Sequence, residues 1–215
     1  MIHRDYIMRL VDLCAKALAR VMNMPQPQEQ QQALEDIRST LAQAVSVSPD
    51  LLDSMTEMDL ITLLRKSEWT AELFDSVGEL LLQQGRILKS ENKEMEAARV
   101  FRKAWLCFYE ASLNVGDFQS RSEKMDFCIT HDILYAGNPG YYQTVLEWLT
   151  RAGRYEKGED WLFDMAEAGI AADSDAEKFF GWLKLMPDDV LEKSGMPRDE
   201  VISSQETYDR KFKRV

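Results

Sequence analysis

Gly85-Arg86-Ile87-Leu88-Lys89-Ser90-Glu91-Asn92-Lys93-Glu94-Met95-Glu96-Ala97-Ala98-Arg99-Val100-Phe101-Arg102-Lys103-Ala104 decides the fold of this chain. Upstream, Leu73, Val77, Leu80, Leu81 and Ile87 recur at helical steps after Thr70 and Glu72, which predicts a long amphipathic helix. A second periodic run covers residues 94–113 and is closed by Gly116 and Asp117. Ser90 to Lys93 then falls in the turn between two antiparallel helices. Gly85 on the first helix and Ala97 and Ala104 on the second allow a close approach, and Phe101 fills the space beside them. Glu94 and Glu96 stand near the positive N-terminal end of the second helix.

The spacing of Gly85, Ala97, Phe101 and Ala104 resembles a tetratricopeptide repeat, a helical pair of about 34 residues. A weaker unit spans about residues 140–169, with Leu146, Gly153, Tyr155 and Gly158 at the corresponding places. Gly158 stands where alanine is usual, which loosens that helix by about 1 kcal/mol unless a close backbone contact compensates. The step from Ala97 to Gly158 is not a multiple of the repeat, so the segment 125–135 is expected to be irregular. The resemblance implies a degenerate right-handed array that presents a concave face to partners. On that face the first unit would place Glu79, Leu82, Arg86 and Lys89, and the second Gln143, Glu147 and Arg151. Arg86 and Lys89 would hold a partner's carboxylate; an ordinary solvated face, with cations near a helix C-terminus, is the other reading.

Outward from this core, Ile7, Leu10, Cys14, Ala17, Leu18 and Val21 form one apolar helical face that Pro25 and Pro27 interrupt. After the glutamine-rich stretch from Gln28, the residues Ala33, Leu34, Ile37, Leu41, Ala44 and Val45 form a second, and the two predict an N-terminal hairpin. Ser48-Pro49-Asp50 is a helix start, followed by short helices over 51–55 and 60–64. Met125, Cys128, Ile129 and Ile133 mark a helix that Gly137-Asn138-Pro139-Gly140 is expected to terminate. Tyr142, Val145, Leu146 and Leu149 open the next hairpin, Gly153-Arg154-Tyr155 turns it, and Trp161, Leu162, Met165 and Ala168 continue it to Gly169. Helices over about 176–185, 188–192 and 199–211 follow, punctuated by Pro187 and Gly195-Met196-Pro197. No stretch alternates with period two, so the chain reads as all-α. The expected layout is one domain over 1–215: an N-terminal hairpin with short helices (1–68), repeat-like hairpins (69–170) and capping helices (171–215).

A chain of 215 residues buries roughly 70% of its unfolded surface and needs no disulfide or metal to fold. Lys and Arg number 26 against 37 Asp and Glu, and the net charge of −11 opposes non-specific attraction to nucleic acid or an anionic membrane. Cys14, Cys107 and Cys128 are odd in number and lie in apolar contexts, which fits a reducing cytoplasm. Arg4, Asp5, Arg9, Asp12 and Lys16 interrupt the N-terminal apolar run, so neither a signal-peptide core nor a membrane span is expected.

Catalytic patterns fail on their own chemistry. Gly153 and Gly158 have phosphate-loop spacing, but Glu159 and Asp160 follow where Lys and Ser or Thr are needed. Asp173-Ser174-Asp175-Ala176-Glu177 begins like a calcium loop, yet Lys178 replaces the turn glycine and Lys184 the bidentate Glu; helix capping accounts for the acids. Ser90-Glu91-Asn92-Lys93 has an acyl-transfer spacing but lies in the predicted turn. With His3 and His131 the only histidines, no zinc site is expected, and His131 beside Asp132 is a poor acid–base pair because neighbours on a helix diverge. Trp69, Trp105, Trp148, Trp161 and Trp182 read as packing groups, and partial exposure of one would mark a binding hot spot. Arg210, Lys211, Lys213 and Arg214 form a basic tail that stabilises the last helix end, with an acidic partner or membrane surface as the alternative.

Three segments carry a wider resemblance: Arg4-Asp5-Tyr6-Ile7-Met8-Arg9; Gly153-Arg154-Tyr155 with Glu159-Asp160-Trp161-Leu162-Phe163; and Phe179-Phe180 through Gly195-Met196-Pro197-Arg198-Asp199-Glu200. Their order resembles an uncharacterised family of bacterial all-helical proteins with tetratricopeptide-like repeats. That resemblance implies a cytoplasmic fold without an established activity and transfers no catalytic residue. The expected function is therefore non-catalytic protein or peptide binding, self-association included, with no cofactor and no metal. The alternative is a regulatory domain that takes a small acidic metabolite or signal peptide.

Overall fold

The computed structural model describes residues 2–22, 29–65, 69–132 and 137–213, with side chains from residue 5 onward. Pro25, Pro27, Gln28, Ile133, Tyr135, Arg214 and the side chain of His3 therefore lie outside the described residues. The described residues form twelve helices and no strand, and the chain divides into two compact units, 1–137 and 138–215. The division cuts through the 69–170 segment that the hairpin pattern groups together.

The first unit holds α1 (Ile2–Met22), α2 (Gln30–Val45), α3 (Pro49–Ser54), α4 (Glu57–Arg65), α5 (Ala71–Ser90), α6 (Glu94–Val115) and α7 (Ser122–Thr130). Thr70 starts α5 by accepting the Leu73 N–H at 3.4 Å, and Ser48 starts α3 in the same way at 3.3 Å. The α5–α6 pair is held by two interlocks. A methyl group at position 85 would overlap the Phe101 ring, and one at position 78 would lie 2.7 Å from the Phe108 ring. Moving seven residues back along α5 moves seven forward along α6, so the contacts fix an antiparallel register.

With rings seated this deeply, α6 is surrounded. Twelve consecutive residues, Phe101 to Ser112, are buried, while α1 and α2 pack on α5 and α4 and α7 pack on α6. Three charged side chains go into the interior with it, and each is met by partners from the segments packed around it. Arg102 Nη1 donates to Asp132 at 2.6 Å and its Nε lies 3.8 Å from Glu57 of α4. Lys103 Nζ donates to the Leu52 carbonyl of α3 at 2.9 Å, and Glu110 accepts from Arg65 of α4 at 2.5 Å. Buried charges satisfied in this way tie the short helices to α6.

The second unit holds α8 (Pro139–Arg151), α9 (Tyr155–Glu167), α10 (Asp173–Leu185), α11 (Asp188–Lys193) and α12 (Arg198–Phe212). The Gly137–Gly140 cluster, expected to end a helix, begins one: Asn138 Oδ1 accepts the Gly140 N–H at 2.8 Å and Pro139 occupies the first helical position. Gly116 and Gly153 both adopt φ +70° just past helix ends, a conformation that favours glycine. Gly158 does gain a compensating contact, because its missing Cβ would lie 2.9 Å from the Phe179 ring. That ring comes from α10, whereas in the first hairpin the ring comes from the paired helix itself; the two hairpins are packed differently. Arg198 closes α10 by donating to the carbonyls of Leu183, Lys184 and Met186 while pairing with Asp188 at 2.8 Å. The basic tail is engaged within the same unit: Lys211 pairs with Glu167 at 2.5 Å and Lys213 with Asp209 at 3.2 Å.

Replacing Gly78 or Gly85 with alanine raises helix propensity by about 1 kcal/mol but overpacks the interlock at a typical cost of about 1–3 kcal/mol. Urea unfolding is expected to show net destabilisation for both variants. Gly181, with nothing within 4 Å of a Cβ, is the control, and its alanine variant should be stabilised by about 0.5–1 kcal/mol. Stabilisation at position 78 or 85 would show the interlocks to be loose.

Candidate functional site

Residues four apart on a helix share a face, and Gln143, Glu147 and Arg151 form such a row on α8. Across from it, α10 presents Asp175, Lys178 and Trp182, and the two rows line a groove of about 750 Å³. Asp175 is buried; its Oδ2 accepts the Ala172 N–H at 2.9 Å and the Gln143 amide at 3.2 Å. One carboxylate thus caps α10 and ties it to α8, in agreement with the capping role read from the sequence. Glu147 and Arg151 pair at 2.7 Å, both about half exposed, so the pair contributes little to stability. Lys178 is exposed and makes no salt bridge to a described residue. Trp182 is 44% exposed and Leu185, three residues on, 79% exposed, whereas Phe179, Phe180 and Leu183 of the same helix are buried. The buried aromatic and leucine side chains meet the helix's packing requirement without Trp182.

The first-unit residues predicted to face a groove have other partners. Glu79 pairs with Lys124 of α7, and the Arg86 guanidinium lies over the Phe127 ring of α7 at 4.9 Å. Leu82 is 1% exposed and belongs to the core, so the expectation that it offers an exposed apolar contact is corrected. Lys89 sits half-buried in the last turn of α5. The face expected to receive a partner peptide is occupied in part by α7. Gln143, Glu147 and Arg151 do line a groove; sequence reasoning missed their counterparts on α10. The available signal was that Phe179, Phe180 and Leu183 leave Trp182 and Leu185 in excess of what one buried face holds.

Other reactive groups are accounted for by packing. His131 Nδ1 lies 2.8 Å from the Phe127 carbonyl oxygen, and Asp132 is held by Arg102 rather than by His131. All three cysteines are buried and free; burial pushes the Cys14 thiol up to about 11 and raises those of Cys107 and Cys128 as well. Among the described residues no group of three or more His, Cys, Asp or Glu side chains is placed to hold a metal, and no helix is long and apolar enough to cross a membrane. Lys103 is the exception that packing leaves under tension. Burial, followed by repulsion from Arg99, lowers its ammonium from 10.5 to about 8.

Three stability measurements check these assignments. Asp175→Ala removes a buried cap and should cost about 1–2 kcal/mol, whereas Trp182→Ala should cost less than about 1 kcal/mol. Equal losses would mean that Trp182 is a core residue. For Lys103 the folded pKa lies below the unfolded one, so between about 8 and 10.5 the unfolded chain keeps a proton that the folded chain has released. Stability from this group therefore rises with pH across that window. Relative to a Lys103→Met variant, the wild type should gain on the order of 1–2 kcal/mol between pH 7 and pH 9.5 in urea unfolding; no gain would remove the buried-cation cost.

No curated protein and no solved structure matches the chain. A family model does, over residues 1–213, which takes in the α5–α6 interlock and the α8–α10 groove alike. The chain belongs to the family of unknown function DUF6483.

Proposed function

We propose that this chain is a non-catalytic protein-binding module whose docking face is the α8–α10 groove of the second unit. The observation that carries this reading is Trp182, a large side chain 44% exposed beside Gln143, Glu147 and Arg151 in a groove of about 750 Å³. Tryptophan and arginine are the residues most enriched among binding hot spots, and a half-exposed indole in a recess is arranged to be covered. The exposed Leu185 extends the apolar strip along α10, and the amide and charged side chains of α8 provide polar contacts that set the register of a helix or extended peptide. The scaffold reading includes a tetratricopeptide-like relationship for the α5–α6 hairpin, supported by the Gly85–Phe101 interlock at that family's spacing. A bacterial, cytoplasmic setting belongs to the same reading, as does self-association through this groove.

Partner capture with the tagged full chain tests it. Wild type, Trp182→Ala and the double variant Arg86→Glu, Lys89→Glu are compared, each confirmed folded by circular dichroism. A stoichiometric protein that is lost with Trp182→Ala and kept by the double variant supports the α8–α10 groove. Retention by all three moves the site elsewhere, and capture of nothing by wild type sinks the scaffold reading.

A further inference from the structure

Independently of the α8–α10 groove, we propose that a recess in the first unit, walled by α2, α3, α5 and α6, binds a small anion through Arg99 and Lys103. The ligand class is a carboxylate or phosphate group. The recess encloses about 360 Å³, within the size range of small-molecule sites.

Two like charges share one face of α6 at this recess. Arg99 and Lys103 are four residues apart on α6, so they share a face, and like charges at that spacing repel. Lys103 is 4% exposed, which denies it the water that would ordinarily screen this repulsion. Both cations donate to carbonyl oxygens rather than carboxylates: Lys103 to Leu52 at 2.9 Å, Arg99 to Ser54 at 2.8 Å and Met55 at 3.0 Å. A carbonyl satisfies a donor without neutralising its charge.

Several of the neighbouring carboxylates have other engagements. Asp53 of α3 is bound by Arg38 of α2 at 2.5 Å, and Asp50 is bound by the same guanidinium at 2.7 Å. Glu91 pairs with Lys93 at 2.9 Å, and Glu57 of α4 faces Arg102. At Lys103 burial, and after it repulsion from Arg99, lowers the ammonium to about 8 against the attraction of Asp53 and Glu57.

Donor capacity is in reserve. An ammonium has three N–H groups and a guanidinium five; here Lys103 directs one bond to protein, and Arg99 uses a single nitrogen for both of its carbonyls. An anion seated between them takes up the spare donors as charge-assisted bonds. Glu35 of α2 and Glu96 of α6 also line the recess and, with the neutral Gln84 of α5, complete its polar wall. Their charge opposes any anion in the recess, so binding depends on the charge-assisted bonds that Arg99 and Lys103 supply.

The test uses the full chain and two probes, sodium phosphate and sodium succinate, titrated calorimetrically at pH 7 with sodium chloride controls at equal ionic strength. Saturable one-to-one binding of either probe is expected, with a dissociation constant of about 1 mM or tighter. Phosphate alone assigns a phosphate ligand, succinate alone a carboxylate ligand, and both a shared anion site. Lys103→Met and Arg99→Gln should each weaken binding by about tenfold or more. Wild-type affinity should fall between pH 7 and pH 9.5 as Lys103 loses its proton, and the Lys103→Met variant should lack that fall. Should a variant fail to fold, nuclear magnetic resonance of the labelled Lys103 side chain in the wild type decides the matter, because a bound anion must raise its pKa from about 8 toward 10.5. A response no larger than that of chloride, binding retained by both variants, or an unmoved Lys103 titration would each overturn the proposal.

Discussion

Two phenyl rings entering two gaps in one helix set the arrangement of the first unit. Phe101 and Phe108 occupy space that any side chain at positions 85 and 78 would take, which draws α5 and α6 together at close range. Once that pair is closed, α6 cannot keep a solvent face, and the elements around it bury its full circumference from Phe101 to Ser112. Its charges must then be met inside the protein, because a buried ion without a partner costs several kcal/mol. Asp132 and Glu57 serve Arg102, Arg65 serves Glu110, and the C-terminal carbonyls of α3 serve Lys103 and Arg99. The short helices α3 and α4 thus owe part of their placement to charges on the helix they cover, beyond their own small apolar faces.

This coupling explains what the sequence revealed and what it hid. All-helical structure, the α5–α6 hairpin and the helix start at Ser48 were legible because each depends on local spacing or on one side chain reaching its own backbone. The Gly85–Phe101 interlock was legible for the same reason, whereas its twin at Gly78 and Phe108, seven residues along each helix, went unread because its glycine lies outside the repeat pattern. Arg102, Lys103 and Glu110 read as surface charges in a one-dimensional pattern; only enclosure by four other helices makes them interior. Gly137-Asn138-Pro139-Gly140 contains residues that both stop and start helices, and direction was decided by Asn138 capping forward onto Gly140.

The candidate groove was half legible for a related reason. Gln143, Glu147 and Arg151 form a row at a single helical period, which a sequence shows directly. Its opposite wall depends on which face of α10 turns inward, and that is settled by Phe179 closing over Gly158 of α9. The substitution that weakened the repeat pattern is therefore the one that orients α10. With Phe179 and Phe180 committed to the interior, Trp182 and Leu185 are left outside it. A first-unit equivalent was anticipated at Leu82, but that leucine is needed by the core, and Glu79 and Arg86 are engaged by α7.

The two recesses differ in the electrostatic problem each has already solved. In the α8–α10 groove Glu147 neutralises Arg151, so recognition there rests on apolar area and hydrogen bonds, the terms that favour a protein surface. In the α6 recess Asp53 pairs with Arg38 and Glu91 with Lys93, Arg99 and Lys103 donate to neutral carbonyls, and Glu35 and Glu96 share the wall. The chain's net charge of −11 repels polyanions at long range. Inside such a field the buried Lys103 acts on whatever is small enough to reach it, because water and salt screen the global repulsion over about 8–10 Å while a buried cation is poorly screened. On the proposed anion reading, this combination would disfavour nucleic acid and favour a compact anion.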